Sequence, residues 1–316
     1  MVYSRQIIAV GGKGMHSHHI SLLTKDAKQN IDFYTRVIGL RLIKNTVNQE
    51  NIKIRHLFYG DYLGTPGSVV TFFALPLLGQ RTDAKHFFNG FRLAIPTGST
   101  EFWQKRLSAE NLVVKEIPDG LAFNDPEGIE IELVVTDRKL VGYQVVPDNG
   151  IPAEFQVSRL LGTELHIPDP DKTASFFHDW LGLEIIGDNE VQLEDNESIR
   201  LFATDSDDRT RFGRGSIDHF ALAVADTDEL EKYYQIAKEQ HLNIEEYIDR
   251  GWFKSLYVRD PGDNRIELAT LGPGFSLDEP ILTMGSTLGL PPAFEGKRQE
   301  IMDYYAKTGV NFADKN

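Results

Sequence analysis

The chain of 316 residues contains no cysteine. This absence excludes disulfides, thiolate zinc sites and cysteine nucleophiles together, so any metal ion must be held by His, Asp or Glu. The sequence also lacks an apolar run near the roughly 18 residues that a membrane-spanning helix needs. Its first residues lack the charged-then-apolar layout of a signal peptide. We therefore expect a cytoplasmic protein with no membrane partner.

Positive charge is scarce, because 33 Lys and Arg face 47 Asp and Glu and give a formal net charge of −14. Such an acidic surface repels phosphate backbones, so a nucleic-acid partner is not expected. The Gly-x-Gly-x-x-Gly and Gly-Lys-Ser/Thr phosphate-binding motifs and the Gly-x-Ser-x-Gly nucleophile motif are absent as well. Apolar residues make up 41% of the chain, enough for one or two cores, and the length predicts about two domains.

The sequence repeats itself. Asn30–Leu40 and Thr173–Leu183 each read as an amphipathic helix that ends at a glycine and leads into an apolar strand. Asp125–Leu133 and Asp260–Leu268 each combine an Asp-Pro turn with an alternating strand. The pattern predicts four units with the order strand, helix and several strands, near 14–80, 86–137, 158–204 and 214–271. A closing helix is expected between Leu290 and Asn316.

Five separated segments carry a resemblance to a known family, and they are Ser17–Ser21, His56–Gly67, Ile217–Phe220, Asp249–Tyr257 and Asp260–Glu267. Together with the repeat, they resemble the vicinal-oxygen-chelate (glyoxalase/bleomycin-resistance) superfamily, and within it the ring-cleaving hydroquinone dioxygenases. The resemblance implies an α+β fold of four βαβββ modules that form two cup-shaped mixed-sheet barrels, plus a C-terminal helix. It also implies that two units join their sheets into a cup that holds a divalent metal ion.

The domain boundaries follow from these units. We expect an N-terminal pair of modules over residues 1–140, a linker over 141–157, and a C-terminal pair with the closing helix over 158–316.

Strand parity selects the candidate metal ligands. Alternate side chains of a strand share a face, and the apolar face packs on the helix. By this rule, His19, His219 and Glu267 all point away from the helices, since each lies between the apolar residues of its strand. Two imidazoles and one carboxylate form the 2-His-1-carboxylate facial triad, which leaves positions open for substrate and O₂. This ligand set suits Fe(II), with Mn(II) as a near substitute.

Three further residues receive roles from the resemblance. It makes Tyr257 a hydrogen-bond donor and proton-transfer group toward the substrate, and Arg250 a support for the substrate oxygen or for reduced dioxygen. It gives His18 the role of an outer group, although parity directs this side chain toward the helix. The family position before the second histidine ligand is frequently His, whereas this sequence has Asp218.

The repeat supplies an internal control. Gly162 and Gly90 occupy the counterparts of His19 and His219, and only Glu132 survives opposite Glu267. We therefore expect one metal site where the first and fourth units meet, and a vestigial empty cup between the second and third.

The remaining candidate side chains receive structural or surface roles. Glu132, with Glu127 and Glu130, is expected to form a solvated carboxylate cluster. The histidines His56 and His166 are expected to be structural or exposed.

The leading interpretation is a non-haem Fe(II)-dependent dioxygenase that cleaves the ring of hydroquinone-type aromatics with O₂. Three alternatives stay open. A glyoxalase-like isomerase or lyase usually has four protein ligands, and an extradiol dioxygenase of the catechol type usually has its ligands in the later units. A quinone-binding or drug-binding resistance protein needs no open metal ion. The expected partners are a small aromatic substrate and O₂, and a homo-oligomer is left open.

Overall fold

The computed structural model describes residues 14–187 and 189–313. Residues 1–13, which open the predicted N-terminal half, lie outside this range. Within it, no helix has the length and continuous apolar character that crossing a membrane would require.

The first and fourth units each contain one helical segment and four strands. In the first unit, the α1 helix continues into a π-helical turn over Phe33–Val37. The elements of the two units are β1 Ser17–Thr24, α1 Ala27–Asp32, β2 Arg41–Val47, β3 Arg55–Gly60, β4 Val69–Ala74, β13 Ile217–Val224, α4 Thr227–Glu239, β14 Asn243–Asp249, β15 Lys254–Arg259 and β16 Arg265–Thr270.

The second and third units repeat this order with shorter outer strands. Their elements are β5 Phe87–Pro96, α2 Thr100–Ala109, β6 Lys115–Ile117, β7 Gly120–Asn124, β8 Glu130–Thr136, β9 Arg159–Ile167, α3 Pro170–Leu181, β10 Ile185–Ile186, β11 Glu190–Gln192 and β12 Ser198–Ala203. The segment 141–157 that joins β8 to β9 carries two short 3-10 turns, Gly142–Gln144 and Ala153–Phe155.

The strands form two eight-stranded mixed sheets. One has the order β14-β15-β16-β13-β1-β4-β3-β2 and the other β10-β11-β12-β9-β5-β8-β7-β6. The first and fourth units therefore share one sheet, here called the first cup, and the second and third units share the second cup. The antiparallel pairs β1–β13 and β5–β9 join the units. The predicted α+β architecture and the predicted pairing of units are confirmed.

Capping side chains fix where the α3 and α4 helices begin. In α3, the Asp169 side chain accepts a hydrogen bond from the backbone N–H of Lys172, and Pro170 occupies the first turn. Its C-cap, Gly182, has φ 72°, a left-handed conformation that glycine adopts without strain. The α4 helix is capped in the same way by Asp226, which accepts from the N–H of Glu229. These caps fix where each helix covers its sheet.

The C-terminal segment closes one edge of the first cup. The 3-10 turn Pro292–Lys297 leads into α5, Arg298–Lys307. From α5, Ile301 and Tyr305 pack in a small core with Val47 of β2. The predicted closing helix is thereby confirmed, and its packing sets the position of the β2 edge.

The core divides into two kinds of packing. A large cluster lies between the sheets and their helices, with Trp103, Trp180 and Phe177 among its fully buried members. A smaller apolar cluster, which includes Phe58 and Phe253, lies inside the first cup. The helix-facing cluster holds the sheets in place, whereas the inner cluster forms part of a cavity wall.

Two buried aspartates mark the repeated Asp-Pro turns. Asp125 is 5% exposed and accepts backbone hydrogen bonds from Glu127 and Ile129 through Oδ1, and one from the Tyr34 hydroxyl through Oδ2. Asp260 is equally buried. Burial raises the pKa of each carboxyl group to about 6, although the hydrogen bonds act in the opposite direction. Both turns therefore hold a carboxyl group that is partly protonated in mildly acidic solution.

Replacing Asp125 with Asn should change how stability depends on pH. Between the pKa of about 3.9 for an unfolded Asp and the folded value of about 6, the folded protein keeps a proton that the unfolded chain releases. The stability contributed by this proton is complete below pH 4 and is lost as the pH rises through 6. The free energy of unfolding of the wild type minus that of Asp125→Asn should therefore fall by on the order of 2 kcal/mol between pH 4.5 and 7.

Urea unfolding of the metal-free proteins at the two pH values measures this difference. Asp119→Asn, in the exposed turn before β7, controls for the loss of one acidic charge. A difference that rises with pH would show that the ionised form of Asp125 is the one that the fold stabilises.

Candidate metal centre

Three side chains from three strands converge inside the first cup. The Nε2 atoms of His19 and His219 lie 3.2 Å apart. The Oε2 atom of Glu267 lies 3.2 Å from the first and 3.0 Å from the second. All three residues are buried, with relative exposures of 3%, 3% and 0%. The structure therefore brings the three predicted ligands together at one point.

The strand register explains this convergence. On β1, His19 pairs with Ala221 of the antiparallel strand β13, and Ala221 pairs in turn with Glu267 of the parallel strand β16. Because alternate residues share a face, His219 and Ala221 point to the same side of β13. His19, Ala221 and Glu267 thus form a row across the adjacent strands β1, β13 and β16. This row crosses the junction between the first and fourth units.

The geometry and the donor set fit a divalent cation. Ligand atoms at right angles around an ion, with bonds of about 2.1 Å, lie about 3.0 Å apart, close to the separations found here. Neither carboxylate oxygen of Glu267 accepts a hydrogen bond, although the side chain is fully buried. A buried carboxylate without a donor is costly unless a cation compensates it. Within the described residues, this is the single group of His, Asp and Glu with ligand atoms this close, and it has three members.

A carboxylate fixes the orientation of His219. The Nδ1 atom of His219 lies 2.6 Å from Oδ2 of Asp218, which also accepts a hydrogen bond from Nη1 of Arg265 at 3.2 Å. Burial raises the pKa of Asp218, but the bonds and charges of His219 and Arg265 outweigh this effect and lower it to about 2. Asp218 is therefore ionised and holds the proton of His219 on Nδ1, so that Nε2 faces the other ligands.

His18 plays the equivalent part for His19. The Nδ1 atoms of the two imidazoles lie 2.8 Å apart, and Nε2 of His18 lies 3.2 Å from the carbonyl oxygen of Thr270. The assignment of His18 to the helix-facing side is wrong. A register irregularity between Ser17 and His19 breaks the alternation, and both histidine rings contact Phe253 of the inner cluster. His18 is 1% exposed and does not line the cavity, whereas its neighbours His19 and Phe253 do.

Tyr257 lies beside the three ligands. It pairs with Glu267 across β15 and β16, and its ring lies 5.4 Å from that of His219. The guanidinium groups of Arg265 and Arg250 lie 4.1 and 5.4 Å from the centre of the tyrosine ring. Burial and the charge of Glu267 raise the pKa of Tyr257 well above its usual range, although the two arginines act in the opposite direction. The phenol is therefore protonated at neutral pH.

Arg250 lines the same cavity and is held by two carboxylates. Its Nη2 atom lies 2.9 Å from Glu246, and its Nη1 atom lies 3.0 Å from Glu50, which belongs to the loop between β2 and β3. In that loop, Gln49 donates a hydrogen bond to the carbonyl oxygen of Arg250. The predicted residues Tyr257 and Arg250 both line the cavity, and sequence reasoning missed Arg265 beside them.

The two histidine ligands lie in the wall of a cavity of about 250 Å³, room for one substituted benzene ring. Glu267 is fully buried next to them. Apolar side chains form much of the lining, among them Leu23, Phe58, Phe73 and Phe253. The expectation that His56 is only structural or exposed is wrong in one respect, because this half-buried histidine lines the cavity. Its alternation with Phe58 on β3, which directs both side chains inward, was the signal that could have found it.

Comparison with known proteins agrees with this geometry. Residues 16–133 and 159–268 match the model of the Glyoxalase/Bleomycin resistance protein/Dioxygenase superfamily. The chain belongs to this superfamily. It is 35% identical over 303 residues to MhqA of Bacillus subtilis (strain 168), which is named as a ring-cleaving dioxygenase, with 90% of this chain and 96% of the relative covered.

Two further proteins extend the comparison. The chain is 25% identical to a chlorohydroquinone/hydroquinone 1,2-dioxygenase of Sphingobium indicum, over 90% of this chain and 94% of that protein. The crystal structure of a Bacillus subtilis protein named as a dioxygenase superposes with a TM-score of 0.84 at 28% identity, covering 92% of this chain and 96% of the other. The predicted family is confirmed, as is the prediction of an enzyme of the ring-cleaving dioxygenase type.

The superfamily fold is used differently in the second cup. Gly90 and Gly162 stand at the register positions of the two histidine ligands, and Arg92 stands at that of Ala221. The buried Arg92 donates hydrogen bonds to Leu161 and Ser198. A Cβ atom on Gly162 would lie 1.8 Å from the carbonyl oxygen of Ser198, so no side chain fits there.

Arg92 therefore occupies the centre of the second cup, and the expectation that this cup is vestigial and holds no metal ion stays a prediction. The expectation of a solvated cluster around Glu132 is wrong, because its side chain is only 15% exposed and binds Arg200 at 2.6 Å. Of the other two carboxylates, Glu127 accepts hydrogen bonds from Thr24 and Lys25. Ion pairs occupy the space that the ligands occupy in the first cup.

Replacing Asp218 with Asn should weaken metal binding while leaving the three ligands in place. The neutral amide no longer fixes the proton of His219 on Nδ1, and loss of such an outer carboxylate typically lowers metal affinity about 10- to 100-fold. Anaerobic titration of the metal-free protein with Fe(II) or Mn(II) in competition with a chelator measures the change. Asp228→Asn, on the exposed face of α4, is the control. Wild-type affinity in Asp218→Asn would contradict this role.

Proposed function

We propose that this protein is a non-haem Fe(II)-dependent dioxygenase that opens the ring of a hydroquinone with O₂. The proposal rests on one observation above all, the convergence of His19, His219 and Glu267 beside a cavity of ring size that the two histidines line. Mn(II) is the alternative ion, because the ligand set does not discriminate between the two. The 1,2-dioxygenase of Sphingobium indicum supports the choice of a hydroquinone.

The three ligands would hold the ion on one face. Bound there, Fe(II) would favour ionisation of a substrate hydroxyl and bring the aromatic diol and O₂ to adjacent positions. The protein contributes orientation to this centre. Asp218 and His18 direct the imidazoles through their Nδ1 atoms, and the apolar wall excludes water from the face of a bound ring.

Tyr257 and Arg250 would act on the substrate oxygens. The phenol of Tyr257 is protonated at neutral pH. It would therefore donate a hydrogen bond to a substrate oxygen, and transfer its proton where negative charge develops on that oxygen. The guanidinium group of Arg250 keeps a positive charge at the same wall. Glu50 and Glu246 hold this group in place. His18 has no access to the cavity, so we assign it only the orientation of His19.

A glyoxalase-like reaction is less compatible with this centre. Such an enzyme usually binds its metal with four protein ligands, whereas the group found among the described residues has three. A quinone-binding protein without turnover has no need of the buried triad. No observation favours either alternative over the dioxygenase.

Removing any one ligand should abolish iron binding and iron-dependent O₂ uptake together. His19→Ala, His219→Ala and Glu267→Ala each leave two donors, too few to hold the ion against water. Iron content and O₂ consumption with methyl- or chlorohydroquinone, after anaerobic loading with Fe(II), measure both effects, and circular dichroism reports the fold. The matched control is Glu132→Gln, the counterpart of Glu267 in the second cup. If all three ligand variants bind iron as the wild type does, the metal centre lies elsewhere.

Replacing Tyr257 with Phe should slow turnover without loss of iron. The substitution keeps the ring between the two arginines and removes only the hydroxyl, so the fold and the ligands stay intact. Loss of a positioned proton donor lowers kcat by a factor of about 100 or more. Steady-state O₂ uptake at equal iron content measures kcat. An unchanged kcat would remove the hydroxyl from the mechanism.

A further inference from the structure

The two halves of the first cup present different chemistry to the cavity. The fourth unit contributes charged and phenolic groups, including Asp218, Arg250 and Arg265. From the first unit come the ligand His19, polar groups of the loop between β2 and β3, and apolar side chains such as Phe58 and Phe73. Beside these apolar side chains lies a second imidazole of the first unit, that of His56. The mechanism above gives this imidazole no part.

His56 is held in a fixed orientation. Its ring lies between those of Phe58 and Phe73, with both ring centres 4.0 Å away. Its Nε2 atom lies 3.0 Å from Oγ1 of Thr71, which lies 2.8 Å from Oγ of Ser21 on the strand of His19. Within the part of the chain that the structure describes, no protein group is bonded to Nδ1. One ring nitrogen is thus anchored, and the other is free to bind a ligand.

The imidazole of His56 is neutral. Removal from water lowers its pKa well below the usual value, and the positive charges that His219, His19 and Arg250 can carry act in the same direction, whereas Asp218 opposes them. A neutral imidazole has one N–H donor and one acceptor nitrogen, and it can therefore bind a hydroxyl group without a charge on either partner.

We propose that Nδ1 of His56 binds the substrate hydroxyl that lies para to the hydroxyl at the metal centre, and thereby selects hydroquinones over catechols. This inference rests on the proposed function, because it takes the metal centre as the anchor of the first hydroxyl.

The arrangement of the strands supports this assignment. His56 lies on β3, which β4 separates from β1, so the strands of His56 and His19 are about 10 Å apart across the sheet. In a catechol, both hydroxyls leave the same edge of the ring and meet the metal centre together. In a hydroquinone, the second hydroxyl leaves the opposite edge, away from the metal centre, and the proposal directs it toward β3. Apart from the ligand His19, His56 is the one imidazole that the described residues of the first unit contribute to the cavity, and its aromatic neighbours are suited to pack against the substrate ring.

Binding of matched ligands tests the assignment without turnover. Hydroquinone and phenol differ only in the para hydroxyl, and calorimetric titration into the Mn(II)-loaded protein without O₂ compares them directly. One added hydrogen bond corresponds to about tenfold in affinity. The wild type should therefore bind hydroquinone about tenfold more tightly than phenol, and His56→Phe should lose this difference through weaker hydroquinone binding alone.

Two conservative variants separate hydrogen bonding from packing. The amide of His56→Asn lies near the former position of Nδ1, whereas that of His56→Gln reaches toward Nε2 and Thr71. Asn should retain most of the preference for hydroquinone, and Gln should lose it. The control is His166→Phe in the second cup, because His166 also lies between two phenylalanines, Phe87 and Phe202.

The outcomes distinguish this inference from the proposed function. Equal affinity of the wild type for phenol and hydroquinone would overturn the inference. An equal loss of affinity for both ligands in His56→Phe would also overturn it, because it would assign His56 to packing. If the binding preference behaves as expected but the Fe(II)-loaded wild type consumes no O₂ with hydroquinones, the proposed function fails and the subsite stands. O₂ uptake with unchanged preference in His56→Phe would sustain the function and reject the subsite.

Discussion

The first cup is built around a fully buried carboxylate that accepts no hydrogen bond. Glu267 faces two imidazole nitrogens at 3.0 and 3.2 Å, and neither oxygen has a protein donor. Burial raises the pKa of this carboxyl group, but His19 and His219 outweigh burial and lower it well below the usual range, so Glu267 is ionised. The register of β1, β13 and β16 places this charge beside the two imidazoles. A bound cation would compensate the carboxylate, so metal binding and stability of the cup are coupled.

The two cups show how one scaffold places positive charge near a carboxylate in two different ways. In the first, small residues such as Ala221 leave room between the ligands. At the same register position in the second, Arg92 fills the space, and Gly162 beside it admits no side chain. A guanidinium group inside the sheet supplies the positive charge that the first cup must take from an ion, with Arg200 bound to Glu132 nearby. The carboxylate that is compensated is Glu267 in the first cup and its counterpart Glu132 in the second.

Much of this architecture could be predicted from the sequence, because it follows from periodicity. The alternation of apolar residues around His219 and Glu267 fixed their direction, and the internal repeat identified which units lack ligands. The predictions that were wrong or missing concern side chains whose positions depend on contacts between distant segments. The irregularity at Ser17 turns His18 inward, and no local pattern reveals it. The role of Arg265 depends on its contacts with Asp218 and Tyr257, which become neighbours only in the folded sheet.

The cavity wall is also stabilised from outside the cup. Trp252 lines the cavity and donates a hydrogen bond to Asp278 of the C-terminal segment. The same carboxylate, together with that of Glu279, binds the buried ammonium group of Lys44 on β2. Removing the ammonium group of Lys44 would leave both carboxylates without their cation, and the loss of a buried charge partner is strongly destabilising. The segment after the fourth unit thus links β2 of the first unit to the wall of the fourth, and holds together the two halves that enclose the cavity.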